Sequence, residues 1–231
     1  MIFPVPLEPG ILLKRYKRFL ADIELENNEQ VTVHCPNSGS MLSCSAPGSP
    51  VLLSRSSNPK RKYPLTLEMV RHGSTWIGIN TSLTNHLVVE GIGNGQIAEL
   101  RNADSIQREV KVSQASRLDV MLTKGARKIY VEIKSCTLAE GGCAMFPDAV
   151  TARGTRHLRE LARLVGQGAE GIIFFLVQRL DADSFRPAAH IDPLYAETLV
   201  QVHRQGVQIL TYQAEVLPQG IRIVCPLPFS L

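Results

Sequence analysis

The residues with the clearest chemical potential are two carboxylates and a lysine, Asp119, Glu132 and Lys134, within residues 116–135 (SRLDVMLTKGARKIYVEIKS). Two carboxylates held side by side repel each other, and a protein tolerates such a pair when a cation lies between them. Oxygen ligands of this kind select Mg²⁺ or Mn²⁺, and a neighbouring lysine can orient or deprotonate water or stabilise charge on a phosphate. The three residues therefore predict a catalytic site for metal-assisted phosphodiester hydrolysis, in which Asp119 and Glu132 bind the metal and Lys134 assists the reaction. The alternative is a solvated strand face that carries an ordinary Glu–Lys pattern.

The elements that would position this trio are predicted by the alternation of apolar and polar residues. Residues 116–122 and 129–136 each read as a strand with one apolar and one polar face. Gly125 fits the first central position of a two-residue hairpin turn between them. Counting back from that turn places the two carboxylates opposite each other and the lysine on the same face of the second strand.

Three further residues are candidates for the same site. Glu90 falls late in a predicted helix and could supply a third metal-binding carboxylate, the alternative being an exposed acid at a helix end. Arg153 and His157 lie four residues apart in a helix predicted over residues 147–165, so they share one face and could hold phosphates of a nucleic acid. The alternative is the solvated side of an amphipathic helix.

Two clusters near the start of the chain interleave basic and aromatic residues. Lysine and arginine neutralise phosphates, and tyrosine and phenylalanine can stack on bases, so the clusters predict a nucleic-acid-binding surface. The alternative is a charged strand edge that blocks aggregation. The clusters consist of Lys14, Arg15, Tyr16, Lys17, Arg18 and Phe19, and of Lys60, Arg61, Lys62 and Tyr63.

A tight turn of small polar residues follows Cys35-Pro36 and contains Asn37, Ser38 and Gly39. Such a turn is suited to a binding site, although composition does not say for what ligand. A sensor of small molecules that uses this turn is therefore kept as a further class of function.

Composition narrows the class of protein. The 231 residues carry a formal net charge of +4, and 44% of them are hydrophobic, which is typical of a globular protein. The chain has no predicted membrane span, and its opening has three prolines and charges in the wrong order for a signal peptide. The five cysteines form no CxxC pair, so neither a zinc site nor a disulfide framework is expected. We therefore expect a cytoplasmic protein without membrane contact, whose oligomeric state stays open.

The coarse pattern predicts an α/β fold, α+β overall, in two domains. Residues 1–80 contain about five short strands separated by turn residues, which favours an OB-like β-barrel. Residues 81–231 alternate helices and strands, including a buried strand over 171–178 and a helix over 192–204, which predicts a domain with a mixed sheet.

Five separated segments, in this order, resemble the sugar fermentation stimulation protein family of bacteria and archaea. They are HCPNSGSM (34–41), NPKRKYP (58–64), SRLDVML (116–122), YVEIKS (130–135) and FPDAVTARGTRHLREL (146–161). The chain has Ser38 where the family usually has threonine.

The resemblance implies an N-terminal OB-fold domain followed by a mixed-sheet domain similar to the PD-(D/E)xK nucleases. Asp119, Glu132 and Lys134 match the Asp, the Glu and the Lys of that motif, whereas Leu118 replaces its proline. It also implies DNA binding, with RNA left open, and a regulatory effect on sugar metabolism. A Mg²⁺- or Mn²⁺-dependent nuclease and a non-catalytic DNA-binding regulator are thus the two main hypotheses.

Overall fold

The computed structural model describes residues 1–114 and 116–231, and within them the chain forms fifteen strands and three α-helices. The strands are β1 (Glu8–Tyr16), β2 (Leu20–Leu25), β3 (Gln30–His34), β4 (Pro50–Arg55), β5 (Leu65–His72), β6 (Thr75–Gly78), β7 (Ser105–Lys111), β8 (Arg117–Lys124), β9 (Arg127–Cys136), β10 (Leu138–Glu140), β11 (Cys143–Phe146), β12 (Glu170–Val177), β13 (Ser184–Pro187), β14 (Gln208–Leu217) and β15 (Gly220–Pro226). The helices are α1 (Thr84–Gly93), α2 (Ala152–Gly166) and α3 (Pro193–Arg204).

The first five strands close into the predicted OB-like barrel. Their order is β3-β2-β1-β4-β5, and β5 returns to β3 through the pair His34 and Thr66, while β6 extends the sheet beside β5. Apolar side chains that alternate along the strands fill the interior, among them the fully buried Leu12, Ile23 and Leu67. The barrel prediction is therefore confirmed.

The residue pattern does not predict strand β1, because the alternation of apolar and polar residues is interrupted there. Near its start it has Pro9 and Gly10, residue types typical of turns, and its pairing with β2 shifts between Leu12 and Lys14. A register shift moves later side chains to the other face, so no simple alternation runs through the segment.

The closure of the barrel brings both basic clusters close to His34. Tyr16 pairs with Leu20 around the β1–β2 turn, Leu20 pairs with His34 at the end of β3, and His34 pairs with Thr66 at the start of β5. The turn that holds Lys17 to Phe19 and the β4–β5 loop that holds Lys60 to Tyr63 therefore both lie close to His34, to which Arg61 is bonded.

The second part of the chain forms the predicted mixed sheet, of order β15-β14-β12-β9-β8-β7. Strands β9, β12 and β14 are parallel, and the outer strands pair antiparallel. One face packs against α1 through Leu87 and Val88, and the other packs against α2 and α3 through Leu158, Leu161 and Leu199. Strands β10, β11 and β13 make a small separate sheet. They and β7 were not predicted, because they are short or exposed.

Helix α2 begins later than predicted. Residues 147–151 are not helical, and the Thr151 hydroxyl accepts a hydrogen bond from Gly154 N at 3.1 Å, which marks Thr151 as the N-cap. The five preceding residues are thereby free to form a loop, and that loop borders the candidate site.

Buried polar contacts join the barrel to the second domain. The Arg179 guanidinium, 3% exposed, donates to Ser43 Oγ at 3.0 Å and to Thr137 O at 2.8 Å, and Gly78 N donates to Gln178 O at 3.0 Å. Buried groups bonded in this way are costly to separate, so the relative position of the two domains is specified. The described helices are too short or too polar to traverse a lipid bilayer.

A buried carboxylate, Glu68, lies where the barrel ends. It accepts hydrogen bonds from Ser54 Oγ at 2.5 Å and from Asn80 Nδ2 at 2.9 Å. Burial raises its pKa in spite of these bonds, which favour the charged form. The group therefore links the start of the second domain to β4 and β5 at an electrostatic cost near neutral pH.

Candidate functional site

The hairpin β8–β9 has the register that the sequence predicts. Lys124 pairs with Arg127 around a two-residue turn, and Gly125 holds the first central position with a φ of +60°, which glycine adopts without strain. Leu122 pairs with Ile129 further along, and the regular ladder continues for two more residues on each strand. The candidate carboxylates follow directly after it.

Asp119 lies at a break in the pairing on both sides of β8. The β8–β9 ladder ends at Val120, so the predicted pair of Asp119 and Glu132 is not part of it. On the β7 side, the residue opposite Asp119 is Glu109, which has a left-handed φ of +55°. The Asp119 carboxylate instead accepts hydrogen bonds from Ile133 N at 2.8 Å and from Asn85 Nδ2 at 2.9 Å. Burial raises the pKa of Asp119, and the neighbouring charge of Glu132 raises it further.

Glu132 is the most buried member of the trio, with 2% of its surface exposed. Its Oε1 accepts from Lys134 Nζ at 2.5 Å and is also bonded to His157 Nδ1. Burial alone would raise the pKa of Glu132, but the His157 hydrogen bond and the charge of Lys134 together lower it. Its other oxygen, Oε2, is buried and has no hydrogen-bond partner in the described part of the chain.

The donor set fits a hard divalent cation that is held by few protein ligands. An orphaned buried carboxylate oxygen needs a partner, and a second carboxylate, whose pKa is raised by the first, lies beside it. No cluster of three or more His, Cys, Asp or Glu side chains suited to a metal occurs among residues 1–114 and 116–231. Mg²⁺ is typically bound by one or two carboxylates, and its remaining coordination positions are filled by water, backbone carbonyls or phosphate.

Glu90 does not join the pair, which corrects the prediction of a third carboxylate. Its Oε2 accepts a hydrogen bond from the N-terminal ammonium of Met1 at 2.6 Å, and the same ammonium donates to Ile221 O at 3.0 Å. The charge of Glu90 is thus balanced by the N-terminal ammonium. Glu90 lies near the C-terminal end of α1, whereas Asn85, which bonds Asp119, lies near its N-terminal end.

His157 also has a different place from the one predicted. It is 3% exposed and bonded to Glu132, so it supports the carboxylate and does not reach a nucleic acid. Arg153 Nε lies 3.5 Å from His157 Nε2. Because a guanidinium can only donate, this contact assigns the ring proton to Nδ1, the nitrogen that faces Glu132. Arg153 itself is exposed and remains available to a ligand.

A cleft of about 600 Å³ opens between the two domains over Lys134. It brings together residues that are far apart in the sequence. The barrel contributes Arg15, Arg18, Asn37, Ser38 and Gly39, and the second domain contributes Asn85, Lys134, residues 145–151 and Arg153.

The Asn37 turn is shaped by Arg15. The Arg15 guanidinium donates to the backbone oxygens of Asn37 at 2.7 Å, of Gly39 at 2.7 Å and of Arg18 at 2.8 Å. The Asn37 side chain in turn accepts from Gly39 N at 2.9 Å. Arg15 is therefore a structural residue whose charge still faces the cleft, and Asn37 serves the turn more than an incoming ligand.

One contact crosses the cleft beside this turn. Met41 N donates to Asp148 Oδ2 at 2.9 Å, and the Ser40 hydroxyl donates to Asp148 O. Gly39 lies so close to the Asp148 carboxylate that a β-carbon there would collide with it. We call this contact between residues 39–41 and Asp148 the cleft tie.

The second basic cluster lies outside the cleft, at the barrel end beside it. Lys60 and Lys62 are exposed, whereas Arg61 is bonded to His34 Nδ1 at 3.0 Å. In the first cluster, the Tyr16 hydroxyl donates to Asp22 at 2.9 Å, so that ring is fixed to the barrel wall. The exposed Lys17, Arg18, Lys60 and Lys62, and not every member of the clusters, are the groups free to meet phosphates, whereas Lys14 pairs with Asp22 at 3.3 Å.

Sequence reasoning missed Asn85 and the cleft tie. Asn85 lies in α1, on the opposite face of the sheet from α2, and it reaches Asp119 from there. Neither residue spacing nor composition signals such contacts, because both depend on how the elements pack.

The fold defines a protein in which an OB-like barrel is joined to a mixed-sheet domain. Two family models match the chain, described as the SfsA N-terminal OB domain over residues 13–79 and the Sugar fermentation stimulation protein RE domain over residues 82–220. The chain belongs to the sugar fermentation stimulation protein family.

Relatives align over nearly the whole chain. The sugar fermentation stimulation protein homolog of Desulfotalea psychrophila is 57% identical over 97% of this chain and 95% of its own length. That of Pelobacter propionicus is 55% identical over 98% of both. Among solved structures, "The structure of Pyrococcus Furiosus SfsA in complex with Ca2+" superposes with a TM-score of 0.92 at 28% identity and covers 100% of this chain and 98% of that one.

Proposed function

We propose that this protein binds DNA and hydrolyses its phosphodiester bonds with Mg²⁺ or Mn²⁺ held by Asp119 and Glu132. The observation that carries the proposal is the orphaned Oε2 of Glu132, a buried carboxylate near a second one, which is bonded through Oε1 to Lys134 in the wall of a cationic cleft. A buried acceptor without a donor is unfavourable, and a divalent cation would satisfy it and offset the repulsion within the pair. The Pyrococcus furiosus protein, which has the same fold, was solved in complex with Ca²⁺, and this supports a site for hard cations.

Each residue has a role in this proposal. Asp119 and Glu132, with help from the Ile133 carbonyl, hold the cation, which when bound polarises the phosphate and lowers the pKa of water. Lys134, 2.5 Å from Glu132, orients the attacking water or stabilises the charge that develops on the phosphate. A water molecule attacks phosphorus and gives up one proton to the solvent, one bridging P–O bond of the backbone breaks, and the leaving oxygen takes up a proton from the solvent.

Residues around the trio keep it in place. Asn85 and Ile133 N each donate to Asp119, and His157 donates to Glu132. Such partners fix the orientation of a ligand and are the usual support of a metal site.

Cleavage assays on pure protein test the proposal. Labelled linear, single-stranded and branched DNA would be incubated with Mg²⁺ or Mn²⁺ and the wild type, Asp119→Asn, or Asp183→Asn as a matched control that changes an exposed aspartate of the same domain. We expect cleavage by the wild type and the control, and none by Asp119→Asn. Failure of the wild type to cut any form, or full activity of Asp119→Asn, would refute the catalytic proposal.

A second candidate is a DNA-binding regulator of sugar-metabolism genes that does not cleave. Lys134 and His157 both bond Oε1 of Glu132, so that oxygen is satisfied by the chain alone. The family name points to sugar fermentation. DNA binding without cleavage or divalent-cation binding would favour this candidate.

A further inference from the structure

We infer that the strand which enters the cleft is unpaired, so that the substrate class is single-stranded DNA. The inference rests on the proposed function, because it concerns the nucleic acid that reaches Lys134. Four observations support it: the size of the cleft, the cleft tie, the positions of the cations in the cleft, and the basic residues of the barrel beside the cleft.

The size of the cleft is that of a small-molecule site. Its volume of about 600 Å³ falls within the range of roughly 300–1,000 Å³ that encloses a single drug-sized ligand. A nucleotide is a molecule of that size, whereas a base-paired helix is much wider. Lys134 lines this cleft, so a phosphate must enter it to meet the trio.

The cleft tie keeps the two walls together. Residues 39–41 of the barrel and Asp148 of the second domain are joined by a backbone and a side-chain hydrogen bond, with no room for a β-carbon on Gly39. The Arg179 contacts hold the same two domains elsewhere. Separating the walls to admit a duplex would break these bonds, whereas a single strand needs no such opening.

Each of the two walls of the cleft carries an exposed cation. Arg18 belongs to the barrel and Arg153 to the first turn of α2, and both are exposed and line the cleft. Neither forms an ion pair with a carboxylate in the described part of the chain. The rim also carries Val150, 76% exposed, as an apolar surface for a base. Cations on both walls with an apolar group at the rim suit one strand whose bases are accessible.

Basic and aromatic residues of the barrel lie beside the cleft, where a bound strand would leave it. The β1–β2 turn places Lys17 and Phe19 next to Arg18, and the loop that carries Lys60 and Lys62 lies beside His34, which pairs with the start of β2. Phe19 is 49% exposed, so its ring is available for stacking on an unpaired base. A strand that leaves the cleft at Arg18 therefore meets an aromatic ring and further positive charges.

Equilibrium binding in EDTA separates this inference from the catalytic proposal, because it needs neither a cation nor cleavage. The probes are a fluorescent single-stranded oligonucleotide of mixed sequence and its duplex. The variants are Arg18→Ala/Arg153→Ala and, as a control with the same loss of charge, Lys128→Ala/Arg204→Ala, two exposed residues at the opposite end of the sheet.

We expect the wild type to bind the single strand roughly tenfold or more tightly than the duplex, since stacking of one unpaired base is worth about that factor. The cleft variant should lose most of this preference, and its log–log salt slope on the single strand should fall by about 0.7 for each lost phosphate contact. The control should keep both. Equal or tighter binding of the duplex, or an equal loss in the control, would overturn the inference and leave the cation site untouched. Absence of binding to either form would instead refute the proposed function.

Discussion

The contact between His157 and Glu132 gives the prediction that the structure defines most sharply. His157→Ala removes a buried ring whose Nδ1 donates to Glu132 Oε1, whereas His157→Asn keeps a donor near the position of Nδ1. Lys134 would then be the remaining partner of Glu132. The alanine variant should therefore lose the hydrogen bond that orients the Glu132 carboxylate, and the asparagine variant should keep a weaker form of that hydrogen bond.

The magnitude follows from what is lost. A hydrogen bond to a buried charged group contributes about 1.5–3 kcal/mol, and the space left by the imidazole adds to that cost. We expect His157→Ala to lower the free energy of unfolding by about 2–4 kcal/mol. Because a residue that orients a metal ligand typically affects affinity by about 10–100-fold, Mn²⁺ should bind that much more weakly to His157→Ala than to the wild type.

Urea unfolding would measure the stability and calorimetric titration the Mn²⁺ affinity. His203→Ala is the matched control, because His203 Nδ1 also makes one hydrogen bond, to Val207 O at 2.9 Å, but at the end of α3. The order wild type, His157→Asn, His157→Ala is expected for Mn²⁺ affinity. Binding of Mn²⁺ by His157→Ala as tight as that by the control would refute this role of the histidine.

Three more variants test the buried Glu68, the lysine of the candidate site and the exposed lysines of the barrel. Glu68→Gln should be more stable than the wild type at neutral pH and should lose this advantage in acid. Burial raises the pKa of Glu68, so the protonated carboxyl stabilises the wild type below the ordinary pKa of glutamate, and this stabilisation is lost as the pH rises through the pKa of the folded state. Urea unfolding as a function of pH measures this, and a wild-type advantage that grows with pH would contradict it. Lys134→Ala should keep Mn²⁺ and DNA binding but lose cleavage by about a hundred- to ten-thousand-fold, and surviving activity would exclude Lys134 from the reaction. Lys60→Ala/Lys62→Ala should weaken binding of all DNA sequences alike and lower the salt slope, and an unchanged slope would remove these lysines from the interface.

Local pattern was sufficient for the part of the hairpin nearest its turn. Alternation over 116–122 and 129–136 and the glycine at 125 give the pairs from the turn as far as Val120 and Val131. They fail beyond that point, because the ladder ends before Asp119 and Leu118 packs in a different core from Val120. The same reasoning failed for β1, because a register shift between Leu12 and Lys14 breaks the alternation on which it depends.

The partners of the candidate site could not be predicted, because they are distant in sequence. Glu90 bonds the ammonium of Met1, 89 residues away, and the helical spacing that suggested a third ligand contains no sign of that charge. His157 shares a helix face with Arg153, as predicted, but whether that face meets solvent or Glu132 depends on how α2 packs on the sheet. Spacing indicates which residues lie together on an element, and tertiary packing decides what they face.

Electron paramagnetic resonance of free Mn²⁺ tests the proposed cation site most directly, because it counts the ions that the protein removes from solution. We expect the wild type to bind Mn²⁺ at a site that is lost in both Asp119→Asn and Glu132→Gln, and the exposed Asp183→Asn control to retain it. A wild type that binds no Mn²⁺, or variants that bind it as the wild type does, would contradict the claim that these two carboxylates hold a cation.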